Sequence, residues 1–397
     1  MPYLEPEKPK KKKKSASSRD IALDKLDFYT PPKTKGKKED KIKGRPKNAF
    51  VRFAEAAFPQ KSDGAMEKTR KIILIFAIAI FAGTLIFLIN QLVGIQEGGN
   101  LNHEIANIAG SPPATIDIDM SYQPFSTFGM SVEVLDETEE IDVTPLVNTP
   151  LSIDFDALKE VNSDTKAWIK ITGTPLNNVI VGTDNDSYYI DHDFYGNESI
   201  SGTIFSSRRN KWDGTDENII LYGHNMISGE FFGYLGHYVP KDTSKEPCAF
   251  YKVHPTLMIA TPDGGSQTYK IFAGMLANTQ EQYGEVFNYT TKTKFRDKDD
   301  FNNYVLEIMD RSWFFTDVDL TYGDQLVTLS TCLWPLGKDV DTRWVLFARK
   351  VRPGESEYVD VSKAERNYYA KLFDYYYNVI GTQWYGSTWD RSKLLSY

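Results

Sequence analysis

The sequence predicts a mainly β protein, in which short strands form a closed or nearly closed barrel with one or two inserted helices, preceded by one transmembrane helix. Eight β-prone runs follow one another at close intervals, punctuated by Gly, Pro, Asn and Asp, with a single amphipathic helical segment among them. Many short strands without alternating helices favour a barrel over a parallel α/β sheet. Eighteen uncharged residues, Ile72 to Ile89, predict the transmembrane helix.

The apolar segment divides a chain of 397 residues whose charge is unevenly distributed. Residues 1–71 carry 21 Lys/Arg and 10 Asp/Glu, a net +11, whereas the remainder carries 25 and 44, a net −19, giving −8 in total. A helix over the segment would be ~27 Å long, close to the hydrocarbon thickness of a bilayer. Lys68, Arg70 and Lys71 lie just before it, and no Lys or Arg follows until Lys159. The positive-inside rule therefore predicts a single-pass protein of the cell membrane with a cytoplasmic N-terminus and an extracellular remainder.

Composition predicts five regions along the chain. They are a basic disordered cytoplasmic segment (1–70), the transmembrane helix (71–92), an acidic extracellular linker (93–150), a strand-rich catalytic domain (151–352) and an aromatic-rich helical extension (353–397). The basic segment fits a solvated tail, a clamp on anionic lipid or a nucleic-acid contact. We favour lipid contact, with a solvated tail close behind, and expect no nucleic-acid partner.

Within the catalytic domain, each element is predicted from its local pattern. A short helix is expected near Ile153–Val161, and the strands are expected at Trp168–Ile171, Val179–Val181, Thr203–Phe205, Ile219–Tyr222, Leu257–Ala260, Tyr269–Leu276, Leu326–Thr331 and Trp344–Val351. The inserted helix is indicated by helical spacing of Phe301, Tyr304, Val305, Ile308 and Met309, with Asp299 or Asp300 near its start.

The C-terminal region is unusually aromatic, with eleven aromatic residues between Pro353 and Tyr397. The spacing of Ala364, Tyr368 and Tyr375 predicts a helix packed on the main domain. A sugar- or wall-binding surface is the alternative.

Three chemistry-bearing residues each lie next to an end of a predicted strand. Cys332, one of only two cysteines, ends one run; His224 follows another; Arg343 opens a third, eleven residues after the cysteine. A thiolate attacks carbonyl carbon, an imidazole transfers protons near neutral pH, and a guanidinium stabilises developing negative charge. Together they predict thiol acyl transfer. A disulfide between Cys248 and Cys332 is the alternative for an oxidising compartment.

The strings around these residues resemble those of the class B sortases. They are Tyr222-Gly223-His224-Asn225-Met226, Thr328 to Cys332, and Asp341-Thr342-Arg343-Trp344-Val345, and the resemblance extends over about residues 155–351. It implies an eight-stranded sortase β-barrel with N-terminal helices and a helix in the long loop before the cysteine strand.

The resemblance also implies an activity and its partners. The enzyme would be a cysteine transpeptidase on the surface of a Gram-positive-type bacterium. It would cleave a C-terminal sorting signal of surface proteins after Thr, hold the product as a thioester, and pass it to an amine of a peptidoglycan precursor or a pilin. We expect no cofactor and no metal ion. A pilus-polymerising sortase, a surface cysteine protease and an idle membrane scaffold or sensor are the alternatives.

Carried over residue by residue, the resemblance implies that Cys332 is the nucleophile, His224 the acid and base, and Arg343 the oxyanion or substrate clamp. It also implies five substrate-binding candidates: Ser330 and Thr331 beside the thiol, and Asn177, Thr279 and Tyr283 in the groove.

Overall fold

The computed structural model of the chain describes residues 53, 56–111, 143–241, 245–337 and 339–394. Most of the basic segment and residues 112–142 of the expected linker lie outside these ranges, so their predicted disorder stays a prediction. The chain divides into two compact units, residues 1–78 and 79–397, whose boundary falls within a long helix.

That long helix, α1, spans Ala65–Ile108. It is long and apolar enough to cross a membrane, and its most apolar stretch is not buried in the protein, as fits a membrane anchor. The helix continues beyond the predicted end at residue 92, so the first part of the expected linker is helical instead. Tertiary contacts account for the difference, because Ile105 and Ala106 are buried and Asn178 donates to Asn102 Oδ1 at 2.6 Å.

Eight strands close into a barrel in the order β1-β2-β3-β4-β8-β9-β6-β5. Their bounds are β1 Thr165–Lys170, β2 Asn177–Val181, β3 Phe205–Ser206, β4 Asn218–Tyr222, β5 Thr256–Thr261, β6 Gly265–Asn278, β8 Leu326–Cys332 and β9 Thr342–Lys350, with the short β7 (Phe314–Phe315) outside the barrel. Each of the eight predicted strands overlaps one barrel strand, which confirms the predicted fold. Two pairings, β2 with β3 and β4 with β8, are parallel.

In the described part of the domain, the barrel is accompanied by the α-helices α2 (Phe155–Val161), α3 (Ala249–Val253) and α4 (Lys298–Arg311). The side chain of Asp297 caps α4 by accepting from Asp300 N at 2.9 Å, so the helix begins slightly before the predicted start. Its five predicted apolar residues are buried with outward-facing residues of β6 and β9, among them Phe272 and Phe347. The predicted helix before the cysteine strand is therefore confirmed.

The C-terminal extension differs from its prediction. Glu365–Arg366 forms a strand, β10, that pairs with β7, and only Asp374–Ile380 is α-helical, forming α5. The backbone N of Asn367 donates to the Trp313 carbonyl at 2.8 Å, which continues the extended pairing. The helical spacing over 364–375 was therefore misleading, because strand pairing with the main domain decides the backbone there.

Candidate active site

The register of three strands brings the predicted catalytic residues to one end of the barrel. Cys332, the last residue of β8, lies directly opposite Arg343 in the antiparallel pairing with β9. On the other side, β4 runs parallel to β8 and Tyr222 lies opposite Ser330. His224, two residues after the end of β4, therefore lies at the same end of the barrel as Cys332. The sequence positions 224, 332 and 343 thus become neighbours only through strand pairing.

Two hydrogen bonds hold the segment that carries His224 against the cysteine strand. Thr331 Oγ1 donates to the Gly223 carbonyl at 2.8 Å, and Asn225 Nδ2 donates to the Cys332 carbonyl, also at 2.8 Å. Because these bonds bracket His224 on both sides, they fix its backbone relative to the thiol.

Cys332 is a free, half-buried cysteine, and Cys248 is free and buried. The two sulfurs therefore do not form the disulfide that the sequence left open as an alternative. Burial raises the pKa of the Cys332 thiol; the positive charge of Arg343 acts against this, and the negative charge of Asp341 adds to it. The resting group near neutral pH is therefore the thiol, so its proton must leave when the sulfur attacks a carbonyl.

The hydrogen bond made by His224 fixes its tautomer. Nε2 lies 2.7 Å from the Ile190 carbonyl oxygen, which can only accept, so Nε2 carries a proton. In the neutral ring, Nδ1 is then the atom with a free lone pair. Nδ1 is therefore the atom able to take a proton and return it.

Arg343 is held by its own neighbours on the chain. Its Nη1 donates to Asp341 Oδ1 and to the Thr342 carbonyl, the latter at 3.0 Å. Burial lowers the pKa of Arg343, but the hydrogen bond to Asp341 and the charges of Cys332 and Asp341 outweigh it and raise the pKa above the ordinary value. The guanidinium therefore stays charged beside the thiol. No described residue accepts a hydrogen bond from its Nη2 or Nε, which leaves both atoms to a further acceptor.

Two substrate-binding candidates, Ser330 and Thr331, are buried strand residues. Ser330 Oγ lies 2.8 Å from the buried Tyr289 hydroxyl, and the Thr331 hydroxyl is used on Gly223. Their side chains hold the end of β8 in place, and their contact with a substrate stays a prediction.

Asn177 is also buried, at the start of β2. Its amide oxygen accepts from Trp168 Nε1 at 2.8 Å, and its amide nitrogen donates to the Ser111 carbonyl at 3.0 Å. Ser111 Oγ also donates to the amide oxygen at 3.2 Å, so the amide holds the segment after α1 against β1 and β2. Contact of Asn177 with a substrate stays a prediction.

Thr279 and Tyr283 lie on the loop that leaves β6. Thr279 Oγ1 donates to Asp341 Oδ2 at 2.9 Å, and the Tyr283 hydroxyl donates to the Asp339 carbonyl at 3.1 Å. Both therefore support the segment that leads to Arg343, and their direct contact with a substrate stays a prediction.

Sequence reasoning missed three residues at this site. Asn225 and Asp341 lie inside the quoted strings, but their bonds to Cys332 and Arg343 depend on tertiary structure. Tyr289 gave no signal, because a tyrosine in a loop carries no periodicity. Its pKa is raised to about 12 by burial, and its surroundings include Cys332 and Arg343. Among the described residues, no cluster of three His, Cys, Asp or Glu could hold a metal ion.

Comparison with known proteins assigns the chain to a family. The sortase domain model matches residues 195–351. Sortase B of Listeria monocytogenes is 28% identical over 189 residues, covering 48% of this chain and 71% of its own, and sortase B of Staphylococcus aureus is 28% identical over 178 residues, covering 45% and 67%. The crystal structure of Clostridium perfringens sortase B is 30% identical, with a TM-score of 0.43; the match covers 50% of this chain and all of the other. The chain belongs to the class B sortases.

This sortase is therefore a cysteine transpeptidase of the class B type. The extension after residue 351 lies outside the sortase domain match. Arg366 stacks over the Trp313 ring at 5.9 Å, and the Tyr375 and Tyr283 rings meet edge to face at 5.0 Å. The extension thus packs on the barrel domain and on the loop that carries two of the predicted groove residues.

Proposed function

We propose that the enzyme is a membrane-anchored sortase that cleaves a C-terminal sorting signal of surface proteins and transfers the protein to an amine of a peptidoglycan precursor. Cys332 is the nucleophile, His224 the acid and base, and Arg343 the stabiliser of the oxyanion. The observation that carries this proposal is the strand register. It sets Cys332 opposite Arg343 and places His224 just after β4, the parallel neighbour of the cysteine strand.

The chemistry proceeds in two acyl transfers. His224 Nδ1 takes the thiol proton as the Cys332 sulfur attacks the scissile carbonyl, and Arg343 donates to the oxyanion. The protonated imidazole gives that proton to the leaving amine, the C–N bond breaks, and a thioester remains. An incoming amine then attacks the thioester, its excess proton passes to His224, and the thiolate leaves and is reprotonated.

If the acceptor is an amine, a small amine should change the product. We expect an added amine such as a glycine peptide to divert the acyl group from acid to amide in a concentration-dependent manner, because it competes with water for the thioester. The measurement is the ratio of amide to acid from a sorting peptide, by mass spectrometry, with Cys332→Ala as the blank. Hydrolysis that no amine diverts, wall-type peptides included, would favour the surface-protease alternative.

We further propose that α1 anchors the enzyme with residues 1–70 in the cytoplasm and the catalytic domain, residues 151–352, outside. Two observations support this: Lys/Arg are concentrated before the apolar segment, and its most apolar stretch is not buried in the protein. Interaction of the basic segment with anionic lipid would follow from the same orientation.

Protease applied to intact cells stripped of their wall should therefore remove the catalytic domain and spare the N-terminal segment. The two regions are followed with separate epitope tags, and a cytoplasmic protein serves as the control for lysis. Loss of the N-terminal tag, with the catalytic domain protected, would show that the topology is the opposite of the one proposed.

A further inference from the structure

Asp341 gathers donors from three separate segments beside the proposed catalytic arginine. It accepts from Arg343 Nη1 on β9, from Thr279 Oγ1 on the loop after β6 at 2.9 Å, and from Trp334 Nε1 after the cysteine at 3.3 Å. The Asp341 backbone carbonyl also accepts from Thr279 Oγ1 at 2.8 Å. One carboxylate thus links the loop after β6 and the segment after Cys332 to the guanidinium of Arg343.

The side chain of Asp341 does not have the features of an ordinary surface ion pair. It is 34% exposed and its arginine partner only 27%, and it accepts three side-chain donors rather than one. Hydrogen bonds to charged groups that are partly removed from water are stronger than exposed pairs and fix geometry better. Because Nη1 of Arg343 is held by Asp341 and by the Thr342 carbonyl, the plane of the guanidinium is determined, and with it the direction of Nη2 and Nε.

We propose that Asp341 is a positioning residue that holds Arg343 in the orientation required at the Cys332 end of the barrel. It acts through the guanidinium and not on the substrate. The inference rests on the proposed role of Arg343 in catalysis. It adds a residue to the machinery, together with Thr279 and Trp334, which hold Asp341 itself.

Asp341 has a second, opposite effect on the thiol. Two charged groups act on the Cys332 thiol, Arg343 and Asp341, and Cys332 in turn acts on the buried Tyr289 hydroxyl. The hydrogen bond of His224 is made to the Ile190 carbonyl and not to the thiol. A carboxylate disfavours a nearby thiolate, and Asp341 also neutralises part of the charge of Arg343. Removing the carboxylate should therefore make the thiol easier to ionise and make catalysis slower at the same time. A residue with only a structural role would not produce these opposite changes.

The test compares Asp341→Asn, Asp341→Glu and Asp339→Asn in the full-length enzyme. Asp339 is an exposed neighbour whose backbone carbonyl accepts from Tyr283, and no hydrogen bond of its side chain to another described residue is seen, so its substitution is a matched control. For Asp341→Asn we expect kcat/KM on a sorting peptide to fall roughly 10- to 100-fold, mainly in kcat, with partial recovery in Asp341→Glu. We also expect the pH midpoint for alkylation of Cys332 to move to lower pH in Asp341→Asn. Asp339→Asn should match wild type in both measurements.

A double-mutant cycle with Arg343→Ala separates positioning from general damage. If Asp341 acts through Arg343, Asp341→Asn should have little further effect on kcat/KM in the Arg343→Ala background. Equal losses in both backgrounds, or a wild-type kcat/KM in Asp341→Asn, would overturn the inference. Thr279→Val removes one donor to Asp341 and gives a milder second probe with the same expected directions.

Failure of the proposed function is distinguishable from failure of this inference. If Arg343→Ala itself retains wild-type kcat/KM, the catalytic role of Arg343 is wrong. If Arg343→Ala is impaired and Asp341→Asn is not, only the role of Asp341 is wrong.

Discussion

Replacing Cys332 with alanine is expected to abolish both cleavage and transfer of a sorting peptide. No thioester can form without the sulfur, and loss of a covalent nucleophile costs on the order of 10⁴- to 10⁶-fold in kcat. The measurement is single-turnover cleavage together with a search for the acyl-enzyme by intact-mass spectrometry. Cys248→Ser is the matched control and should retain wild-type activity. Activity that remains in the Cys332→Ala variant would rule out the sortase mechanism proposed for this site.

Thiol labelling provides a second measurement of the same assignment. Burial raises the pKa of Cys248 to about 12, and its side chain is 5% exposed, so it should resist a methanethiosulfonate reagent. Cys332 is only half-buried; burial raises its pKa as well, but the positive charge of Arg343 opposes that rise. We expect Cys332 to be labelled first, with activity lost in parallel and the rate increasing with pH as the thiolate fraction grows. Labelling of Cys248 at the same rate would contradict this reading of the two environments.

Replacing Arg343 with alanine is expected to lower kcat/KM by roughly 10²- to 10³-fold, the effect of removing one oxyanion donor, or about 2.7–4 kcal/mol. Lysine should restore only part of this loss, because it keeps the charge but not the planar fork that Asp341 holds. The measurement is kcat/KM on a sorting peptide for both variants, with the melting temperature as the control for folding.

The alternative is that Arg343 belongs to an ordinary ion pair. Arg208 offers the comparison, since it is exposed and lies 3.6 Å from Asp186 in a surface pair. Losing such a pair costs ~0–1 kcal/mol of stability, so Arg208→Ala should leave kcat/KM unchanged. A folded Arg343→Ala variant that behaves like Arg208→Ala would remove Arg343 from the active site.

The sequence by itself determined the barrel strands and the residues with the required chemistry. Runs such as Leu326–Thr331 and Trp344–Val351 are β-prone along their own length, and the inserted helix shows its apolar face in the spacing from Phe301 to Met309. These signals are local, because they depend on residues within a few positions of one another. The strings around His224, Cys332 and Arg343 are local in the same sense.

The tertiary structure decided what each of these residues contacts. The resemblance implies that Ser330, Thr331 and Asn177 contact the substrate, which stays a prediction. In the structure these side chains are buried and form hydrogen bonds with Tyr289, Gly223 and Ser111, respectively. Part of the helix predicted over 364–375 is instead the strand β10, because pairing with β7 supplies its backbone hydrogen bonds. Such pairing depends on a distant segment and cannot be predicted from the spacing of nearby residues. Likewise, nothing in the chain near Asp341 indicates that Thr279 and Trp334 donate to it. Hydrogen bonds and burial between distant segments are set by the packing of the whole domain, so local residue order predicts the elements but not these contacts.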